Sequence, residues 1–184
     1  RFPNHHPNPV EPGTLKLLNE QVHSAGAECG IGFDGDGDRI GVIDKTGRQI
    51  SGDLLTAFLS LDILERHKGA EILFDVKSSS TALDIVRHAG GKPHLWRTGH
   101  SHMKKRLKEL GAPLAGEMSG HIFIADDFYG FDDALYVACR FLSRLTHMKQ
   151  KGNESLTDFL DRLPPSFTTP ECHIHCPDNE KFTA

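Results

Sequence analysis

The stretch from Ala70 to Glu117, "AEILFDVKSSSTALDIVRHAGGKPHLWRTGHSHMKKRLKELGAPLAGE", alternates short apolar runs with longer segments of helical period. "AEILFDV" reads as a strand, "STALDIVRHAG" as a helix closed by glycine, and "KPHLWRT" as a second strand. "SHMKKRLKELG" is again a helix ending on glycine, and "APLAGE" is a third strand. Strands separated by helices of about 10–15 residues form βαβ units, which lay their strands parallel. The expectation is an α/β fold around a mainly parallel sheet.

Downstream, "GHIFIAD" follows the third strand directly, "DDALYVACRFLSRLTHM" is a long amphipathic helix and "SLTDFLDRL" a short one. Beyond them "PPSFTTP" reads as a linker and "ECHIHC" as one more strand. Upstream, "GDLLTAFLSLDILER" has helical apolar spacing, with Asp53 near its start, where negative charge suits the helix dipole. "ECGIGF" and "RIGVID" read as strands around an acidic loop, followed by a turn at "KTGRQ". A helix from Thr14, with Leu15, Leu18 and Val22 on one face, precedes them, and "RFPNHHPNPVEPGTL" reads as loop.

Composition narrows the partners. The 184 residues carry a formal charge of −4 with both signs mixed, which argues against nucleic acid or an anionic membrane as partner. No apolar run approaches the roughly 20 residues of a membrane span, and no signal-peptide pattern opens the chain. Cys29 falls in a strand and Cys139 on an apolar helix face; with Cys172 and Cys176 they read as reduced thiols of a cytoplasmic protein.

In open α/β sheets ligands bind on the loops that follow the carboxyl ends of strands. Four such loops are unusual here. The first is "GFDGDGDR", residues 32–39, with Asp34, Asp36 and Asp38 separated only by glycine. A Ca²⁺ EF-hand loop needs Gly at its sixth position and Glu at its twelfth. Counted from Asp34 those positions hold Arg39 and Lys45, and the flanks are strands. What remains is a glycine-hinged turn directing three hard oxygen donors to one point, a set suited to Mg²⁺ completed by substrate phosphate. The plain alternative is a polar Asp-Gly hairpin turn.

The second loop is "GEMSGH", in which Glu117, Ser119 and His121 alternate and so, if extended, face one way. Glu with Ser suits sugar hydroxyls, and His121 can move a proton near neutral pH. "FDVKSSS" and "RTGHSH" bring Lys77, Arg97 and His100 to strand ends, each loop followed by a helix N-terminus that favours an anion. Together the loops point to a phosphate-bearing ligand. "CHIHC" has zinc-type residues at the wrong spacing for a tetrahedral site, and His5 and His6 read as solvated.

"GIGFDGDGDRIGVID", "FDVKSSS", "WRTGHSHMKK" and "LAGEMSGHIFIADDFYGFDDALYVACR" together resemble the α-D-phosphohexomutases, nearest to the bacterial phosphomannomutase/phosphoglucomutase type. The resemblance runs from "FPNHHPNP" to "TTPE" and implies four domains around a cleft, of which this chain holds a three-layer αβα domain with a mixed, mainly parallel sheet and part of a second αβα domain. By it, residues 1–48 are the end of the second domain, residues 49–162 the third, and residues 163–184 a hinge and the first strand of the fourth. It implies Mg²⁺ held by Asp34, Asp36 and Asp38, with Arg39 facing the cleft, and Glu117 and Ser119 gripping sugar hydroxyls. Lys77, His100 and His121 become the cleft's basic residues, with His121 the candidate for proton transfer. The implied reaction interconverts hexose 1-phosphate and hexose 6-phosphate, mannose or glucose, through a phosphoserine and a 1,6-bisphosphate.

The phosphoserine of the family lies in a "TASHNP"-like motif, which is not in this sequence. These residues are therefore expected to act with further domains of the same protein and to be inactive alone. A sugar-phosphate-binding module without chemistry is the alternative. A phosphatase with an aspartate nucleophile fits less well, because "DGDGDR" lacks the Thr or Val of D-x-D-x-T/V.

Overall fold

The computed structural model describes residues 2, 3, 5–11 and 13–165. The strand expected at "ECHIHC" and most of the 163–184 segment lie outside the described residues. Helix α1 (Lys16–Ala25) leads into a three-stranded antiparallel sheet of β1 (Cys29–Phe33), β2 (Ile40–Asp44) and β3 (Gln49–Ile50). The acidic loop joins β1 to β2. The turn expected over "KTGRQ" is present, and its last residue opens the two-residue β3, which the sequence did not show. Glycine lets α1 lie close on β1: a Cβ at Gly30 would stand 2.7 Å from the Val22 side chain.

After α2 (Gly52–Arg66) come β4 (Glu71–Asp75), α3 (Ser80–His88), β5 (Lys92–Trp96), α4 (His100–Leu110), β6 (Leu114–Gly116) and β7 (Ile122–Ile124). The chain continues into α5 (Ala134–Gly152) and α6 (Leu156–Asp161). The second sheet has the order β5-β4-β6-β7, with β4 parallel to β5 and β6, and β7 antiparallel to β6. The expected mixed, mainly parallel sheet is therefore present.

Right-handed crossovers fix the layers. From β4 to β5 the chain steps one way, and from β5 to β6 it steps back past β4, so α3 and α4 fall on opposite faces. Side-chain alternation agrees. Ile72, Phe74, Leu114, Ile122 and Ile124 join one core with α2, α3 and α5, while Leu73, Ala115 and Phe123 join another with Met103 and Leu107 of α4. The reversal makes the carboxyl ends of β4 and β6 a topological switch point, where open α/β sheets form their ligand crevice.

Helix α2 is the central pillar. It is apolar on most faces, touches β2, β6, α3 and α5, and buries Leu55, Phe58, Leu59 and Ile63. Asp53 does more than complement a dipole. Its buried carboxylate accepts from Ser51 Oγ at 2.5 Å, from the Leu54 N–H at 2.8 Å and from the Ser79 N–H at 2.7 Å, tying the start of α2 to the start of α3. Cys139 is exposed, which corrects its placement on an apolar face, while Cys29 is half-buried with its thiol pKa raised by burial and by Glu28. No helix among the described residues is long and apolar enough to cross a membrane.

Candidate active site

The acidic loop is organised by its first aspartate. Asp34 Oδ1 accepts from the backbone N–H groups of Gly37, Asp38 and Arg39 at 3.0–3.1 Å, and Oδ2 accepts from Arg39 Nε at 2.9 Å. Gly37, at φ +78°, supplies the left-handed turn that aims those amides inward. The Asp34 side chain is only 1% exposed. Burial pushes its pKa up, yet the Arg39 side chain and backbone, with Asp38 and Asp36, outweigh it and bring the pKa down to about 2. Asp38 goes the other way: burial, its hydrogen bond with Asp34 and the charges of Asp34 and Asp36 raise it, against the pull of His121.

A group whose pKa is depressed on folding stabilises above its unfolded value, about 3.9 for Asp, and loses that contribution as pH falls through the folded value. Asp34 is therefore expected to contribute about 1 kcal/mol after solvent screening, lost between about pH 4 and pH 2. Urea unfolding at stepped acid pH checks this, and Asp34→Asn should make the decline shallower.

Carboxylate oxygens of Asp34, Asp36 and Asp38 lie within 4.8 Å of one another, with Asp36 the exposed member. An all-oxygen donor set bearing three negative charges against one Arg39 fits a hard divalent cation. Arg39, expected to face the cleft, keeps 24% of its side chain exposed while pairing with Asp34. It folds back on Asp34 and reaches Asn8 Oδ1 at 3.3 Å, which locks the 5–11 loop to the acidic loop. His5 and His6 are exposed, as expected.

The acidic loop is hooked to the second sheet. Arg39 and His121 form an antiparallel bridge, Ile40 N–H donates to Gly120 O at 3.1 Å, and Ala134 N–H at the start of α5 donates to Gly37 O at 3.0 Å. Residues 117–121 are not extended. Gly120 N–H donates to Glu117 O at 3.0 Å and Glu117 N–H to His121 O at 2.9 Å, because β7 turns back on β6. The three nominated side chains nevertheless meet within this turn.

Glu117 is 1% exposed. Its Oε1 accepts from the Gly99 N–H at 2.6 Å, and its Oε2 takes Ser119 Oγ at 3.3 Å and His121 Nδ1 at 3.2 Å. Burial raises the Glu117 pKa, but the bonds to His121 and Gly99 outweigh it and hold the group ionised. His121 Nδ1 also lies 2.8 Å from Ser119 Oγ, and its Nε2 lies 3.5 Å from Asp38 Oδ2. Burial lowers the His121 pKa, and Glu117, Asp38 and Asp132 more than restore it, leaving it raised. The ring stacks 5.7 Å from that of His100.

Lys77 and Arg97 follow β4 and β5 and are exposed. His100, the first residue of α4, lies 3.4 Å through Nδ1 from Asp132 Oδ2, and Lys104 Nζ lies 2.9 Å from Asp132 Oδ1. Asp75, fully buried at the end of β4, accepts from Ser78 Oγ at 2.9 Å and Thr98 Oγ1 at 3.1 Å, so it joins the Lys77 loop to the His100 loop. Burial raises its pKa, and Ser78, Thr98 and Lys77 offset only part of that. Sequence reasoning missed Asp75, Lys104 and Asp132. Two signals were available, a carboxylate ending an apolar strand and an Asp-Asp pair of which only Asp133 caps α5. A groove of about 830 Å³ beside the site shares Lys104 but contains none of the nominated residues.

An αβα domain with a carboxylate loop pinned at its switch point gathers charged side chains at the carboxyl ends of its strands, where α/β folds bind ligands. Residues 51–167 match the family model for phosphoglucomutase/phosphomannomutase α/β/α domain III, and residues 1–47 match that for domain II. The chain belongs to the phosphoglucomutase/phosphomannomutase family. It is 44% identical over 182 residues to a phosphomannomutase/phosphoglucomutase of Pseudomonas putida, covering 99% of this chain and 38% of that protein. A phosphoglucomutase of Neisseria gonorrhoeae is 41% identical over 177 residues, covering 96% of this chain and 37% of that protein. A crystal structure of a phosphoglucomutase/phosphomannomutase family protein from Burkholderia thailandensis superposes with a TM-score of 0.84 at 44% identity, over 92% of this chain and 36% of that one. The chain thus spans well under half the length of these relatives.

Proposed function

We propose that these residues form the metal- and sugar-binding part of a Mg²⁺-dependent phosphohexomutase. In it, hexose 1-phosphate and hexose 6-phosphate, of mannose or glucose, interconvert through a phosphoserine and a 1,6-bisphosphate. The observation that carries this reading is the Arg39–His121 bridge, which sets three converging carboxylates beside the turn bearing Glu117, Ser119 and His121. The names of the Pseudomonas and Neisseria relatives support the substrate class. The domain limits proposed are 1–48, 49–162 and 163–184, and the free thiols Cys29 and Cys139 fit a cytoplasmic protein.

Asp34, Asp36 and Asp38 would hold the cation, which when bound neutralises phosphate charge and so lets a neutral hydroxyl approach a dianion. Arg39 fixes Asp34 in place and so shapes that site. Ser119 and Glu117 orient sugar hydroxyls, the hydroxyls exchanging for the Ser119 and His121 contacts that Glu117 Oε2 makes in the structure. Lys77 brings positive charge to the crevice, which favours the phosphate, and His100 stands at its edge, stacked on His121. The phosphoryl-donor serine comes from another part of the protein, since no "TASHNP"-like serine is present.

The test uses the intact protein with glucose 1-phosphate or mannose 1-phosphate and Mg²⁺. The 6-phosphate should form, chelation should stop it, and the 184-residue chain alone should show no turnover. Tight binding of hexose phosphate without conversion by the intact, serine-phosphorylated protein would replace this reading with the non-catalytic module.

A further inference from the structure

His121, the candidate to move a proton, has Nδ1 at 2.8 Å from Ser119 Oγ and 3.2 Å from Glu117 Oε2, and Nε2 at 3.5 Å from Asp38 Oδ2. His100, stacked against it, keeps 52% of its side chain exposed. Its Nδ1 stands between two groups of opposite sign, 3.4 Å from Lys104 Nζ and 3.4 Å from Asp132 Oδ2. Asp132 is held firmly. Its side chain is 7% exposed, its backbone bridges Phe123 beside β7, and its Oδ1 takes Lys104 at 2.9 Å. Its Oδ2 is buried and has no hydrogen-bond partner among the described residues, an arrangement that costs free energy unless a donor turns to it.

We propose that Asp132 is the positioning residue of His100, its orphan Oδ2 taking the Nδ1 proton of the neutral ring. That fixes the tautomer with the lone pair on Nε2, the nitrogen left to accept a hydrogen bond from a sugar hydroxyl. Lys104, one helical turn along α4, opposes it: when its ammonium donates to Nδ1 the proton sits on Nε2 instead. The pair sets whether His100 accepts or donates at the crevice. The part played by the sugar rests on the mutase reading above; the tautomer does not.

The deciding measurement is the imidazole ¹⁵N–¹H correlation spectrum of the 184-residue chain at about pH 8, where an ordinary His is neutral. Asp132→Asn should shift His100 toward the Nε2–H tautomer, because the amide keeps the Lys104 contact through its oxygen while turning N–H toward Nδ1. Lys104→Met should shift it the other way. Shifts in the same direction, or none in either variant, would overturn the proposal. If Asp132→Asn does not fold, Lys104→Met decides alone: a move toward Nδ1–H supports it and no move overturns it. In the intact protein, Asp132→Asn should lower kcat/KM for hexose 1-phosphate by about 10-fold or more, as loss of an oriented acid–base partner does. Intact wild-type protein with no mutase turnover would sink the function proposed above and leave the tautomer result standing.

Discussion

Gly52→Ala is expected to destabilise the chain by about 3 kcal/mol, at the upper end of what overpacking costs. A Cβ at this first residue of α2 would stand 2.1 Å from the carbonyl oxygen of Glu117 and 3.1 Å from Gly120 N and Met118 O. All three are backbone atoms of the turn that carries the site, so no side chain can rotate away. Ala favours a helix over Gly by up to about 1 kcal/mol in the interior, and less at a first turn. The clash wins. Relief requires the turn to shift outward, which pulls Glu117 from the Gly99 N–H and Gly120 from Ile40. Gly152→Ala, with nothing within 4 Å of the added carbon, is the matched control and should be neutral or slightly stabilising. Urea denaturation of both variants checks this. A Gly52→Ala midpoint equal to wild type would mean that α2 and the turn do not meet as described.

The fold was legible because short apolar runs set between glycine-closed helices are local signals. In β4 Ile72, Leu73 and Phe74 form one continuous apolar run, as in a strand covered on both faces, and the structure places Leu73 in a different core from the other two. The short β3 escaped because two residues carry no period, and the central place of α2 escaped because a helix apolar on most faces does not say what surrounds it. The Glu117–His121 segment shows a limit of another kind. Alternate polar residues look alike in a strand and in a turn, and what decides is Gly120 at φ +90°, where a Cβ would meet Ile40 O at 2.7 Å. Among the nominated residues, the three aspartates, Glu117, Ser119 and His121 are brought together, His100 stacks against them, and Arg39 serves the loop's interior. Asp75 and Asp132 could not be read from spacing. Their partners are remote in sequence, Thr98 for Asp75 and Lys104 for Asp132, and a lone Asp at a strand end or helix start has an ordinary capping explanation. The residue types suggested both a cation site and a pair suited to sugar hydroxyls, and the family resemblance added the particular sugars and the phosphoserine.

Asp36→Ala should abolish divalent-cation binding while leaving the fold intact, a pairing of outcomes that separates a metal ligand from a structural aspartate. Second-sphere changes at metal sites already cost about 10–100-fold in affinity, so loss of a direct ligand should exceed about 100-fold. The three aspartates are unequal. Asp34 spends both oxygens on the loop's own N–H groups and on Arg39, so its removal orphans buried donors and destabilises the chain. Asp38 faces His121, so its removal also disturbs the neighbouring turn. Asp36 is exposed, and in the metal-free chain its charge adds to the repulsion that raises Asp38 while its hydrogen bond helps to lower Asp34. Without cation, Asp36→Ala should therefore be neutral within about 0.5 kcal/mol or slightly stabilising. With cation the sign reverses. Mn²⁺ as probe, followed by its EPR signal, should show weak binding to the wild-type chain and none to Asp36→Ala. Mg²⁺ should raise the urea midpoint of wild type alone, as any ligand of the folded state does. Equal Mn²⁺ binding by both chains would take the metal away from this loop and leave its three carboxylates as a turn motif.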